Sequence, residues 1–135
     1  MNGETIVKTV LRFYPDVEAI YLFGSYLTPE QQQHSDADIA LLFSHEKARL
    51  LKNLAVSDCR DALENALKKT VDLINLRSVN TVFQNEIIQH GRVIYLQNER
   101  VVDEFEMQVM SSYQKLNEER AGILEDILET GRILK

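Results

Sequence analysis

Apolar positions divide this chain into short, well-punctuated stretches. From Glu4 to Phe13, Ile6, Val7, Val10, Leu11 and Phe13 recur at helical spacing, and Pro15-Asp16 then breaks the pattern. Ala19-Ile20-Tyr21-Leu22-Phe23 is a short β-prone run ended by Gly24, which reads as a buried strand. A polar stretch from Tyr26 to Ser35 leads to a second such run, Ile39 to Phe43. The spacing then predicts a helix from about Glu46 to Lys68, with Leu50, Leu51, Leu54, Ala62, Leu63, Ala66 and Leu67 on its apolar side. Thr70 to Leu76 alternates as a strand does, Val79 to His90 reads as a helix capped by Gly91, and Arg92 to Leu96 is the last predicted strand.

From about Asn98 onward there is no proline, and only Gly122 and Gly131 interrupt a long helical stretch. Val102, Phe105, Val109, Leu116 and Ile123 make an apolar stripe along it. A helix of about 30 residues is about 45 Å long, more than a small core covers, so part of the stripe is expected to face a partner. The expected architecture is α/β (α+β): a small mixed β-sheet flanked by helices, with a long C-terminal helix. Residues 1–97 form the core and 98–135 a helical extension of the same domain, a candidate partner-binding element.

Composition narrows the class of protein. The chain has 135 residues, 44% of them apolar and 27% charged, which fits one ordinary folded domain and excludes disorder. Fifteen basic against twenty-one acidic residues leave a net charge of −6, the wrong balance for a protein that works mainly on nucleic-acid phosphates. An acidic cleft that takes a divalent metal fits it better. Cys59 is the only cysteine, which excludes an internal disulfide and a thiol-based zinc site. Neither a signal-peptide pattern nor an apolar run long enough for a membrane span is present, so a soluble, cytoplasmic protein is expected.

The chemistry is concentrated in Gly24-Ser25, ten intervening residues, then Asp36-Ala37-Asp38. Gly24 stands where a buried strand ends, and a residue without Cβ lets the backbone approach a phosphate closely. Ser25 adds a hydroxyl and an N–H at a natural anion site. Asp36 and Asp38 are two apart, so on an extended strand both carboxylates project from one face, a pair of hard oxygen ligands suited to Mg²⁺ with a phosphate-bearing substrate. Either half alone would read as a turn or as solvated charges; together, one behind a buried strand and one leading into another, they read as a site.

Asp72 lies between Val71 and Leu73, where a carboxylate is out of place unless something binds it. If its strand pairs beside Ile39–Phe43, it joins the other two carboxylates, and three suffice for two bridged metals. It would also serve as general base toward an attacking hydroxyl. Because alternation alone does not fix which face is buried, an outward Asp at a strand edge remains the alternative.

These residues resemble a known family. GSYLTPEQQQHSDADIALLF is similar to the signature of the DNA polymerase beta nucleotidyltransferase superfamily, G-S-x10-D-x-D, with VDLINL supplying the later aspartate. The short length resembles the minimal nucleotidyltransferases, in particular the antitoxins of MNT–HEPN toxin–antitoxin pairs. The resemblance implies a polymerase beta-like nucleotidyltransferase fold. It implies ATP as substrate, a two-metal Mg²⁺ site, and AMP transfer to a tyrosine of a HEPN-family ribonuclease toxin. Carried over residue by residue, Gly24 and Ser25 cradle the triphosphate, Asp36 and Asp38 ligate metal, and Asp72 ligates the second metal and activates the acceptor. One departure is that many relatives carry a small-Arg-Gly run where this chain has Leu27-Thr28-Pro29. Another cation must then steady the phosphates, or ATP binds more weakly.

Tyr26 adjoins the site and either stacks on the base or covers the sheet end. His34 reads as a solvated loop residue, His45 and His90 as surface or capping residues, and Cys59 as a small core residue. Lys47, Arg49 and Lys52 read as a solvated helix face, and Glu118, Glu119 and Arg120 as an exposed interruption of the C-terminal stripe. Beside the adenylyltransferase antitoxin stand two other functional classes. One is a small-molecule nucleotidyltransferase of the aminoglycoside-modifying kind, which 135 residues leave little room for. The other is a non-catalytic toxin-binding neutraliser, which retention of three mutually repelling carboxylates argues against.

Overall fold

The computed structural model describes residues 2–23, 37–51, 54 and 57–130. The elements run α1 (Asn2–Phe13), β1 (Ala19–Phe23), β2 (Ala37–Leu42), α2 (His45–Leu50), α3 (Asp58–Leu67), β3 (Val71–Asn75), a 3₁₀ turn (Leu76–Ser78), α4 (Thr81–His90), β4 (Arg92–Leu96) and α5 (Glu99–Thr130). The four strands form one mixed sheet in the order β3-β2-β1-β4. β1 is antiparallel to both of its neighbours, whereas β2 and β3 are parallel, because the chain between them crosses back through α2 and α3.

Both faces of the sheet are covered, which is why its central strands read as unbroken apolar runs. On one face Ile20, Leu22, Ile39, Leu41 and Leu73 pack with Ile6 and Val10 of α1 and Cys59 and Leu63 of α3. On the other, Ala19, Tyr21, Phe23, Ala40 and Leu42 pack with Ile87 of α4 and Val102, Phe105 and Val109 of α5. This is the mixed sheet flanked by helices that the pattern predicts.

The expected helix over 46–68 is two helices. α2 ends at Leu51, which is extended, and α3 restarts behind Ser57, whose hydroxyl accepts from the Arg60 N–H. A serine competing for backbone donors makes a good N-cap and a poor helix interior, so the pattern breaks there. Leu54, in the connection, is buried, while Leu50, expected on the apolar side, is 77% exposed. Likewise α4 begins at Thr81, not Val79, because the Asn80 side chain caps it by accepting from Phe83 N–H at 2.8 Å.

Gly91 closes α4 with its N–H on the Ile87 carbonyl at 2.7 Å, yet its φ of −83° is not the left-handed conformation of a glycine cap. Space is the constraint instead. A Cβ at Gly91 would stand 2.5 Å from Ile87 O and 2.9 Å from Leu22 O, so only glycine lets this turn lie against the end of β1.

Candidate active site

One row of residues runs across the sheet at the end where β1 finishes and β2 and β3 start. Phe23 is the register partner of Asp38, and Asp38 is the register partner of Asp72. Alternation puts both aspartates on the face that carries Phe23, Ala40 and Leu42, with neighbouring strand axes about 5 Å apart. Asp38 is half-buried and Asp72 is exposed. Carboxylates from register partners on neighbouring strands supply hard oxygens of the kind that suit Mg²⁺. Among the described residues no group of three or more His, Cys, Asp or Glu side chains gathers anywhere.

Gly24, Ser25, Tyr26 and Asp36 lie outside the described residues, as do His34 and the Leu27-Thr28-Pro29 run. Their place in the chain is nonetheless telling. Gly24 and Ser25 directly follow Phe23 in the chain, and Asp36 directly precedes Ala37, so both ends of the signature join in sequence the strand ends that carry the row.

The row is braced from both sides. Phe23 meets the Phe83 ring edge-on, with centroids 5.6 Å apart, and the Gly91 turn presses against Leu22 and Phe23. At the outer edge of β3, side chains of α3 stand in for a missing neighbour strand. The Val71 N–H donates to Glu64 Oε2 at 2.9 Å, Arg60 Nε donates to the Val71 carbonyl at 3.0 Å, and Arg60 pairs with Glu64 at 3.0 Å. Both edge groups of the residue before Asp72 are thereby satisfied, which fixes the start of β3. Sequence reasoning passed over Arg60 and Glu64; their i,i+4 spacing on a helix leading into β3 was the available signal.

Other candidates fall away from this row. Lys47 pairs with Asp16 at 3.3 Å, and His45 and His90 are exposed at the first position of α2 and the last of α4. Cys59 is fully buried in the core, and burial pushes its thiol up to about 12, partly countered by Arg12. Tyr21, beneath the row, is 1% exposed and donates to Glu106 Oε2 of α5 at 2.7 Å. Burial and then that carboxylate push its phenol well above the usual range. No helix among the described residues is long and apolar enough to cross a membrane.

Residues 5–100 match the family described as Polymerase beta, Nucleotidyltransferase. The chain is 35% identical over 129 residues to the protein adenylyltransferase MntA of Shewanella oneidensis, spanning 95% of this chain and 88% of that one. Solved structures resemble it over nearly its whole length. One is a toxin–antitoxin complex with AMP-PNP, with a TM-score of 0.77 and 33% identity over 95% of this chain and 99% of that one. Another is an MntA–HepT mutant with two aspartate-to-glutamate changes two positions apart, with a TM-score of 0.78 and 31% identity over the same shares. A third, a tri-AMPylated Shewanella oneidensis HEPN toxin in complex with MNT antitoxin, has a TM-score of 0.72 and 31% identity over 94% of this chain and 96% of that one.

Proposed function

This chain belongs to the polymerase beta nucleotidyltransferase family, and from that membership we propose that it is an antitoxin protein adenylyltransferase, moving AMP from ATP to a tyrosine of a HEPN-type ribonuclease and silencing it. The observation that carries the reading is the Asp38–Asp72 pair, in register on neighbouring strands, with Gly24-Ser25 following in sequence the strand residue Phe23 that is the register partner of Asp38. Relatives that share its full length support the rest: one is a protein adenylyltransferase, and another is the antitoxin in complex with an AMPylated HEPN toxin. The mutated aspartates of the MntA–HepT structure have the spacing of Asp36 and Asp38 here.

In this reading Gly24 and Ser25 hold the triphosphate through backbone N–H groups and a hydroxyl, with Tyr26 against the base. Asp36, Asp38 and Asp72 hold Mg²⁺, which when bound neutralises phosphate charge and makes the acceptor hydroxyl easier to ionise. Asp72, exposed where Asp38 is half-buried, takes the tyrosine proton. A bond forms from the tyrosine oxygen to the α-phosphorus, the bond to the β-phosphate oxygen breaks, and pyrophosphate leaves. Residues 98–135 act as the partner-binding extension; the family match ends at residue 100, just inside α5.

The test is intact-mass analysis of a candidate HEPN-type partner protein, after incubation with ATP, Mg²⁺ and this protein. It should gain whole AMP units, and Asp36→Asn combined with Asp38→Asn should abolish the gain while the melting temperature stays close to wild type. Transfer undiminished in the double variant would falsify the metal-site assignment. AMP appearing only on small aminoglycosides would point to the other enzymatic class.

A further inference from the structure

At the opposite end of the sheet from Asp38 and Asp72 lies a cavity of about 170 Å³, whose lining includes His45, Arg77, Phe105, Gln108 and Ser112. Arg77 follows β3 by two residues, and Leu73, Ile74 and Asn75 of the extended strand separate Asp72 from Leu76, so the two sites are more than about 10 Å apart. The Arg77 guanidinium is half-buried, and no carboxylate stands among its described partners. Nε donates to the Phe43 carbonyl, one terminal nitrogen donates to His45 Nε2 at 3.1 Å, and the group lies 5.2 Å from the Phe105 ring centroid. Among the described residues no carboxylate is in ion-pair distance of Arg77; Glu18 acts on it only from farther away. Burial accordingly draws its pKa below the ordinary arginine value.

A cation taken partly out of water with no carboxylate beside it gains most from an anion brought to it. The position of the cavity identifies the kind of anion. Its α5 wall, Phe105, Gln108, Val109 and Ser112, spans the point where that helix leaves the core. Val102, Phe105 and Val109 are buried, and beyond Val109 no residue through 122 is buried. Leu116, four residues after Ser112 and seven after Val109, continues the same apolar stripe past the cavity mouth. A polypeptide covering that stripe would run directly over Arg77.

We propose that this cavity anchors the protein partner, which lies along α5 and places an aspartate or glutamate carboxylate on Arg77 beside the Phe105 ring. The inference rests on the HEPN-type protein being the partner, and it adds where and through what chemistry that protein is held.

Calorimetric titration of the HEPN-type protein into this chain, without nucleotide, tests it. Ser112→Glu puts an internal carboxylate on the cavity wall at an exposed helix position, and should weaken binding at least about tenfold while ATP binding is unchanged. Met107→Glu adds the same charge on the far side of α5, where residue 107 is 67% exposed, and should leave binding at wild type. Arg77→Gln should match Ser112→Glu. Binding untouched by Ser112→Glu, or weakened equally by Met107→Glu, overturns the anchor while leaving the adenylyltransferase reading intact. A wild-type chain that neither binds nor modifies the HEPN-type protein overturns both.

Discussion

At the residue scale, Asp38 and Asp72 contrast with Cys59 and Tyr21. The first pair sits at the sheet's rim, in register on neighbouring strands, with Asp38 half-buried and Asp72 exposed. The second pair is sealed in the two cores, and each keeps its proton because the charged form would lose its hydration. That has a consequence for stability. The thiol ordinarily ionises at 9.0 and the phenol at 10.0, and the fold raises both. A raised folded value means the contribution is complete below the unfolded value and is lost as pH climbs toward the folded one. Chemical-denaturation midpoints should therefore be flat between pH 7 and about pH 8.5 and fall progressively above pH 9. Cys59→Ala combined with Tyr21→Phe should flatten the alkaline limb, and a limb unchanged in that variant would refute the assignment. In the same vein, Cys59 should resist thiol reagents at pH 8 until the chain is unfolded.

At the scale of elements, the work of positioning Asp72 falls to α3. β3 is an edge strand, and one residue before Asp72 its free N–H and C=O are taken by Glu64 and Arg60. Removing the guanidinium strands a half-buried carbonyl and loosens the strand that presents the carboxylate. Arg60→Ala should cost about 1–2 kcal/mol of stability and, more tellingly, raise the Mg²⁺ concentration for half-maximal transfer several-fold. Arg60→Lys, which keeps the charge without the forked geometry, should recover stability better than metal affinity. An unchanged Mg²⁺ dependence in Arg60→Ala would leave the clamp with a merely structural role. On the other flank, the Gly91 turn holds α4 against β1; Gly91→Ala should lower the melting temperature, because both atoms nearest the added Cβ are backbone.

At the scale of the whole molecule, the long helix has two parts. Its first three turns complete the core on the α4 side, tied down by Val102, Phe105, Val109 and the Tyr21–Glu106 hydrogen bond. The remainder, at about 1.5 Å per residue, extends roughly 30 Å beyond Val109 without a buried residue through 122. A chain ending after residue 114 should therefore keep the wild-type melting temperature within a few degrees and retain ATP binding, yet bind its protein partner far more weakly. Size-exclusion with the HEPN-type protein and a thermal melt check this; a large drop in melting temperature would show the distal helix to be part of the core. Isolated helices in water are marginal, so this segment is expected to gain protection from hydrogen exchange when the partner is added.

The strands, both faces of the sheet and the first and last helices were legible in the sequence, since burial on two sides leaves continuous apolar runs and one-sided packing leaves a 3.6-residue stripe. The G-S-x10-D-x-D spacing and Asp72 were legible for the same reason: polar chemistry set against apolar strands. What one-dimensional pattern did not contain was the break at Ser57, where a local cap outcompeted helix periodicity, or the reason for Gly91, which is the nearness of a strand far away in the chain. Nor did it contain the parallel register that sets Asp38 beside Asp72, the Arg60–Glu64 hold on Val71, or the meeting of His45, Arg77 and α5 around one cavity. Local propensity is written in neighbouring residues, whereas register and cavities arise only when distant segments compete for the same space, and that is decided by packing in three dimensions.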